Sequence, residues 1–262
     1  MMHTFRRAGT WLLLPFLLLS LLALAGCGGE KKDRPLQVGM DASYAPFGFQ
    51  NMDTKEYEGF DVDVIRAIAA EEHFQVQVVN LNFDGLIPAL QTGDLDIVIN
   101  DMTITEEREK SVDFSDRYYI AGLGLVVRKD DETIQSKADL PGRTIGVSIA
   151  STGEEAARKI PGAKVKSYNA ITDAFLDLKN GGVEAVLNDY PVDLYYVARQ
   201  GPELRVVPHP LTRENLGIAV KKGNTGLLEK INRGLAAIKK NGKYSEIYKK
   251  WFHEEPPAEL LR

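Results

Sequence analysis

Short apolar segments alternate with amphipathic helical segments along the chain, and this alternation limits the possible folds more than any other feature. "LQVGM", "VQVVNL" and "DIVIN" predict strands, and "GFDVDVIRAIAAEE" and "NFDGLIPALQTG" predict helices between them. In the first helix Val64, Ile65 and Ile68 share one apolar face, and Asp61 is the predicted N-cap. Gly93 ends the second helix. This order predicts a mostly parallel sheet with right-handed crossovers.

The same order then recurs in the second half of the chain. "LGLVVRK", "RTIGVSI", "AKVKSY", "VEAVLND" and "LRVVPH" predict strands, and "STGEEAARKI", "AITDAFLDLKNGG" and "YPVDLYYVARQ" predict the helices among them. Two further helices, "GLLEKINRGLAAIKKNG" and "KYSEIYKKWF", come near the end. Two α/β units in a chain of 262 residues predict two lobes with a cleft between them.

Polar residues follow four of the predicted strands. In open α/β sheets, ligands bind outside the carboxyl ends of the strands, so these residues are candidates for a binding site. They are Asp41 and Tyr44, then Asp101, Met102 and Thr103, then Ser151, Thr152 and Gly153, and finally Asn188 and Asp189.

Residues 1–26 have a different pattern, in which Arg6 and Arg7 precede "WLLLPFLLLSLLALAG". A basic start, an apolar centre and small closing residues predict a secretory signal peptide, with a transmembrane anchor as the alternative. Cys27 is the only cysteine, and "LAGC" resembles the lipobox of bacterial lipoproteins. The resemblance implies that a lipidated Cys27 anchors the chain to the membrane, with residues 27–35 as a flexible tether.

The charge of the chain argues against one class of partner. Without Arg6 and Arg7 the 32 basic residues fall to 30, against 37 acidic residues, which gives a net charge of −7. No block is rich in lysine or arginine, so nucleic acid is not an expected partner. Together with the signal peptide, this composition predicts a water-soluble domain outside the cytoplasm, attached to the bacterial cell membrane.

Five motifs resemble one family in the family's own order: "YAPFGF", "GFDVDVIRAIA", "FDGLIPALQTGDLDIV", "TITEEREKSVDFSDRYY" and "NGKYSEIYKKWF". They are similar to the periplasmic or lipoprotein substrate-binding proteins of polar amino acid ABC transporters. The resemblance implies a two-lobed α/β flytrap fold that closes on one free amino acid and delivers it, as a monomer, to a membrane permease. Two hinge strands would lie near residues 118–122 and 212–216. Lobe 1 would comprise residues 36–120 and 217–254, lobe 2 residues 121–216, and a C-terminal tail residues 255–262.

The resemblance also implies roles for single residues. Arg108 would bind the ligand α-carboxylate, because a guanidinium fork is suited to bidentate contact, with Thr103 and the N–H of Gly153 assisting. Asp189 would receive the α-ammonium group. From the residues alone, Arg108 also fits a solvated helix charge, and Asp189 also fits a cap of the following helix.

Four further positions bear on which amino acid is bound. Tyr44 and Phe83 would sandwich the ligand side chain, although both also fit the core beneath loops. Asp41 matches a family position that contacts the ligand side chain, whereas at Asp101 the family more often has glycine or serine. Together the two residues would add two negative charges, which favour arginine, lysine, ornithine or histidine, because a neutral ligand leaves them uncompensated. If Asp101 only accepts backbone N–H bonds at a turn, glutamine becomes the favoured ligand.

Two other functions remain open at this point. A dehydratase-like enzyme on the same fold could use Asp41, Asp101 and Asp189 as acid–base groups. The sequence contains no nucleophile–base pair, metal-ligand cluster or phosphate loop, so we expect no enzyme, metal or cofactor. A ligand-sensing partner of a membrane receptor would need the same binding site as a transport protein.

Overall fold

The computed structural model describes residues 1–2 and 34–262. Most of the predicted signal peptide and tether, including Cys27, lies outside the described residues. Within the described part, no helix combines the length and the apolar character that crossing a membrane requires.

The first of two five-stranded sheets contains β1 (Leu36–Met40), β5 (Val76–Asn80), β6 (Ile97–Val98), β7 (Val112–Phe114) and β15 (Ala219–Lys221). The strand order is β5-β1-β6-β15-β7. Strand β1 pairs in parallel with β5 and β6, and only β15 runs in the opposite direction. The sheet's helices are α1 (Phe60–Glu71), α2 (Phe83–Thr92), α3 (Glu106–Glu109), α7 (Thr225–Lys240) and α8 (Lys243–Phe252). A small antiparallel sheet beside it contains β2 (Ser43–Tyr44), β3 (Gly48–Gln50) and β4 (Tyr57–Glu58).

The second sheet contains β9 (Leu123–Arg128), β10 (Thr144–Ser148), β11 (Lys164–Tyr168), β12 (Ala185–Asp189) and β13 (Leu204–Val206). The strand order is β11-β10-β12-β9-β13, and only β9 runs antiparallel to the others. The sheet's helices are α4 (Thr152–Arg158), α5 (Ile171–Lys179) and α6 (Tyr190–Gln200), and single 3₁₀ turns lie at Lys137–Asp139 and Ala258–Leu260. The prediction of two mostly parallel α/β lobes is confirmed.

Two antiparallel strands, β8 (Tyr119–Ala121) and β14 (Glu214–Leu216), connect the two sheets. The connections approach each other closely beside this pair, because a Cβ atom on Gly122 would lie 2.0 Å from the carbonyl oxygen of Thr212. The N–H of Leu123 also donates to Thr212 Oγ1 at 2.8 Å. Any residue larger than glycine at position 122 would therefore force the two connections apart.

A cluster of aromatic rings attaches the first connection to the first lobe. Phe60, at the start of α1, is fully buried and has six ring centroids within 5.1–6.1 Å of its own. Because edge-to-face ring pairs combine apolar burial with a preferred geometry, the cluster holds β8 against α1 and α8. The six rings belong to Phe47, Tyr118, Tyr119, Tyr244, Tyr248 and Phe252.

The start of α1 differs from the prediction. Gly59 occupies the N-cap position and no side chain caps the helix, so the assignment of Asp61 as N-cap is wrong. Asp61 is 1% exposed, and its Oδ2 accepts the N–H of Asp101 at 2.9 Å. Gly93 does end α2 in the left-handed conformation, with φ of 88°, as predicted.

Candidate functional site

The carboxyl ends of strands from both sheets meet at one small cavity. Its volume is about 10 Å³, roughly the space of one water molecule. An amino acid therefore enters only if side chains or lobes move apart. The lining comes from both lobes: Tyr44, Phe83, Asp101, Thr103, Arg108, Ser148, Ser151, Thr152 and Asp189.

Arg108 contributes the cationic end of the cavity. Thr105 caps the short helix α3 through its side-chain oxygen, and this cap positions the Arg108 backbone. The Arg108 side chain is buried, and its guanidinium carbon lies 5.2 Å from the centre of the Phe83 ring. Nη1 donates to the Thr103 carbonyl at 2.8 Å, and Nη2 donates to the Ala150 carbonyl at 3.1 Å. Both acceptors are neutral carbonyls, so they leave the guanidinium charge without a counter-charge. The guanidinium also has N–H donors that these two bonds do not use, and these can bind an incoming carboxylate.

Asp189 and Tyr44 contact each other across the two lobes. The hydroxyl oxygen of Tyr44 lies 2.6 Å from Asp189 Oδ2 and 2.5 Å from Asn188 Oδ1. Asp189 Oδ1 is buried and has no hydrogen-bond partner among the described residues. Burial raises the pKa of Asp189 to about 7, although the Tyr44 hydroxyl and the Arg108 charge act to lower it. A ligand ammonium group could replace Tyr44 as the partner of Asp189.

Asp101 is the most unusual residue of the lining. It adopts a left-handed backbone with φ of 48°, it is 3% exposed, and both of its carboxyl oxygens are buried without a hydrogen-bond partner in residues 34–262. Its carboxyl group lies close enough to that of Asp189 for the two charges to repel each other. Burial raises the pKa of Asp101 well above its usual range, and the charges of Asp189, Asp61 and Glu214 raise it further.

The Asp101 carboxyl therefore does not act as an acceptor for a turn. Instead, its backbone N–H donates to Asp61 Oδ2 and to the Tyr118 hydroxyl oxygen at 3.2 Å. A left-handed backbone is unfavourable for a residue with a Cβ atom, so these two bonds offset part of that cost.

Four of the predicted site residues lie outside the lining. Asp41 Oδ1 accepts from the N–H and hydroxyl of Ser43 at 3.0 and 2.6 Å, so this carboxylate stabilises its own loop. Met102 is buried in the core beneath α2. A Cβ atom on Gly153 would lie 2.6 Å from the Leu187 carbonyl, so Gly153 allows α4 to pack on β12. Asn188 lies behind Tyr44 and donates to Asp193 Oδ1 at 3.2 Å.

Sequence reasoning missed Ser148 and Glu214. Ser151, which follows a strand as expected, lies in the lining and also caps α4 through its side-chain oxygen. Glu214 lies on β14 and accepts from the Thr103 and Thr152 hydroxyls at 2.8 and 2.9 Å. No periodicity or motif marks Glu214, because its partners are 111 and 62 residues away in the sequence.

The buried carboxyls predict an unusual dependence of stability on pH. The pKa values of Asp61 and Asp189 are both raised to about 7, whereas an unfolded aspartate titrates near 3.9. A raised native pKa means that the contribution to stability is fully present below the unfolded value and is lost as pH rises through about 7. The free energy of unfolding should therefore fall by a few kcal/mol between pH 5 and 8.

Urea unfolding at pH 5, 6, 7 and 8, on protein refolded from denaturant to remove bound small molecules, measures this slope. Asp189→Asn should flatten it, because one of the protons taken up by the native state is then absent. A stability that rises steadily from pH 5 to 8 would contradict the assignment.

The chain resembles known proteins over nearly all of its described length. The sequence model of the bacterial extracellular solute-binding proteins, family 3, matches residues 36–254. The chain is 34% identical to the ABC transporter glutamine-binding protein GlnH of Bacillus subtilis, over 91% of this chain and 95% of that protein. It is 36% identical to the L-arginine-binding protein of Pseudomonas aeruginosa, over 92% of this chain and 95% of that protein.

Solved structures show the same likeness. An ancestral arginine-binding protein bound to arginine is 46% identical, with a TM-score of 0.80 over 83% of this chain and 98% of that chain. The same kind of ancestral protein bound to glutamine is 45% identical, with a TM-score of 0.81 over 84% of this chain and 98% of that chain. Overall similarity therefore does not distinguish a cationic from a neutral ligand side chain.

Proposed function

The chain belongs to the bacterial extracellular solute-binding proteins, family 3, and on this premise we propose that it binds an L-amino acid with a cationic side chain. Arginine, lysine, ornithine and histidine are the candidates. The protein would close its two lobes on the ligand and present it to the permease of an ABC transporter. It would act as a monomer, without chemical turnover.

The observation that carries this proposal is the presence of two buried carboxyls, Asp101 and Asp189, in the lining of one cavity. In a bound zwitterion, the α-carboxylate is neutralised by Arg108 and the α-ammonium by Asp189. Asp101 then remains as an additional buried carboxyl whose two oxygens have no partner in the described chain. A buried charge without a partner is costly, and a cationic ligand side chain would compensate it directly.

Closure would follow from contacts that the ligand makes with both lobes. Arg108 and Asp101 come from the first lobe, and Asp189 comes from the second. A ligand that binds all three stabilises the closed arrangement by its differential affinity for that state. When the ligand ammonium binds Asp189, the contact between Tyr44 and Asp189 would be lost. The rings of Tyr44 and Phe83 would then cover the aliphatic part of the ligand.

Glutamine is the alternative ligand, and a specific observation favours it. Burial raises the pKa of Asp101, which favours the protonated form of this carboxyl. A neutral carboxylic acid can donate a hydrogen bond to the carbonyl oxygen of a side-chain amide. The similarity to a glutamine-binding protein is consistent with this possibility.

A calorimetric or thermal-shift panel separates the two ligand classes. Refolded protein is titrated with arginine, lysine, ornithine, histidine and glutamine at pH 7.5, with glutamate as a negative control. A ligand at about 1,000 times its Kd should stabilise the protein by about 4 kcal/mol. Stabilisation by glutamine with no response to the four cationic amino acids would refute the basic ligand. Mass spectrometry of the recovered ligand tests for turnover, and a changed mass would indicate a dehydratase-like enzyme.

Family membership and the N-terminal sequence support a location outside the cytoplasm, at the membrane. We propose that residues 1–26 are removed and that Cys27 carries the lipid that holds the protein at the membrane. Metabolic labelling with a radioactive fatty acid should mark the natural chain and leave Cys27→Ser unlabelled. Equal labelling of both proteins would exclude lipidation at Cys27.

A further inference from the structure

Glu214 connects both lobes from a position on the hinge strand β14. Its Oε2 accepts the hydroxyl of Thr103 at 2.8 Å and the hydroxyl of Thr152 at 2.9 Å. Its Oε1 accepts the hydroxyl of Thr212 at 2.8 Å. Thr103 belongs to the first lobe, and Thr152 begins α4 of the second lobe. One carboxylate on the hinge thus joins two cavity-lining residues from opposite lobes.

The direction of these hydrogen bonds is fixed by chemistry. An ionised carboxylate only accepts, so each threonine hydroxyl donates its single proton to Glu214. Neither hydroxyl can then donate to a ligand carboxylate at the same time. Carboxylate recognition therefore depends on Arg108 and on backbone N–H groups, while the two hydroxyls hold the lobes in place.

We propose that Glu214 is an interlobe latch, a positioning residue that stabilises the closed arrangement by holding Thr103 and Thr152 together. Because it lies on β14 itself, separation of the lobes must break at least one of its bonds. Hydrogen bonds to a charged acceptor are among the stronger ones in proteins. Since such a bond must break before the lobes separate, the latch would mainly slow reopening. The measured effect on affinity rests on the proposed amino-acid binding.

Four variants and one control test the latch by ligand dissociation. Glu214→Ala should weaken binding about 10- to 100-fold, mainly through faster dissociation. Thr152→Val should have a similar effect, the double variant should be little worse than either single variant, and Thr152→Ser should restore the wild-type rate. Asn215→Ala, an exposed position on the same strand, is the matched control and should leave both rates unchanged.

A latch and a direct ligand contact predict different patterns across ligands. A latch lowers affinity for every bound amino acid by a similar factor, whereas a contact to the ligand cation lowers it only for cationic amino acids. A selective loss in Glu214→Gln, or unchanged affinity in Glu214→Ala, would overturn the proposal. Glu214→Gln keeps the shape of the side chain, so it replaces Glu214→Ala in the affinity measurements if the alanine variant folds poorly.

A structural readout separates failure of the latch from failure of the proposed function. Spin labels on cysteines introduced at Gln91 and Lys164, in the Cys27→Ser background, report the distance between the lobes without any amino acid present. Glu214→Ala should shift the distance distribution towards longer separations, and an unchanged distribution would overturn the latch. If no amino acid binds the wild-type protein, the proposed function fails while this measurement still tests the latch.

Discussion

Replacement of Arg108 by alanine is expected to reduce the affinity for the amino acid more than any other single change. Removal of one partner from a buried, hydrogen-bonded charge pair costs about 2–5 kcal/mol, which corresponds to roughly 30- to several-thousand-fold in Kd. Arg108 is well placed for this effect, because its guanidinium is buried and its two protein acceptors, the carbonyls of Thr103 and Ala150, are both neutral.

Arg108→Lys tests whether charge alone is sufficient. Lysine keeps the charge but offers a point donor in place of a planar fork, so it cannot reproduce bonds to both carbonyls and to a carboxylate together. We expect an affinity between those of the wild-type and alanine proteins. Lys110→Ala, just beyond the same short helix and exposed, is the matched control and should bind normally.

Isothermal titration calorimetry measures the affinities, and urea unfolding of each variant establishes that loss of binding does not reflect loss of folding. Some loss of stability is expected for Arg108→Ala, because one buried and one partly buried hydrogen bond disappear. Affinity of the alanine variant within threefold of wild type would show that the α-carboxylate is bound elsewhere.

Replacement of Asp101 by asparagine is expected to change ligand preference. The change removes the charge and nearly preserves the shape, and asparagine tolerates the left-handed backbone found at φ of 48° better than most residues. Affinity for arginine, lysine and ornithine should fall about 100-fold, because the buried counter-charge is lost. Affinity for glutamine should stay within a few-fold of its wild-type value, so the ratio of the two is the quantity to measure.

The same variant should unfold less readily at pH 8. Asp101 lies near Asp189, Asp61 and Glu214, so its removal relieves repulsion among buried acids. A gain in stability combined with an unchanged preference for cationic ligands would show that Asp101 shapes the cavity without contacting the ligand side chain.

Much of the architecture was predictable because it depends on local pattern. Strand and helix periodicity gave two mostly parallel sheets, and the ends of β1, β6, β10 and β12 identified where polar residues would gather. The pattern did not distinguish Asp41 from Asp101, since each follows a buried strand. The backbone decides between them: Asp41 forms a turn with Ser43, whereas the left-handed Asp101 directs its carboxyl into the cavity.

Long-range contacts account for what the sequence did not reveal. Asp61 resembles a cap because it stands near a helix start, but its partner, the Asp101 N–H, is 40 residues away. Glu214 has the sequence context of an ordinary surface glutamate, but strand β14 brings it to two threonines from different lobes. The roles of such residues depend on contacts made by tertiary packing, and a local sequence pattern does not reveal those contacts.

The position of β15 between β6 and β7 has a consequence for the order in which the protein can fold during synthesis. The first sheet contains a gap until residues 219–221 have been made, although its other four strands are complete by residue 114. The second sheet uses only residues 123–206 and has no such gap. The lobe encoded in the middle of the chain can therefore complete its sheet before the lobe at which the chain begins. The first lobe must remain incomplete while the second lobe is translated, and its unpaired strand edges are open to aggregation during that time.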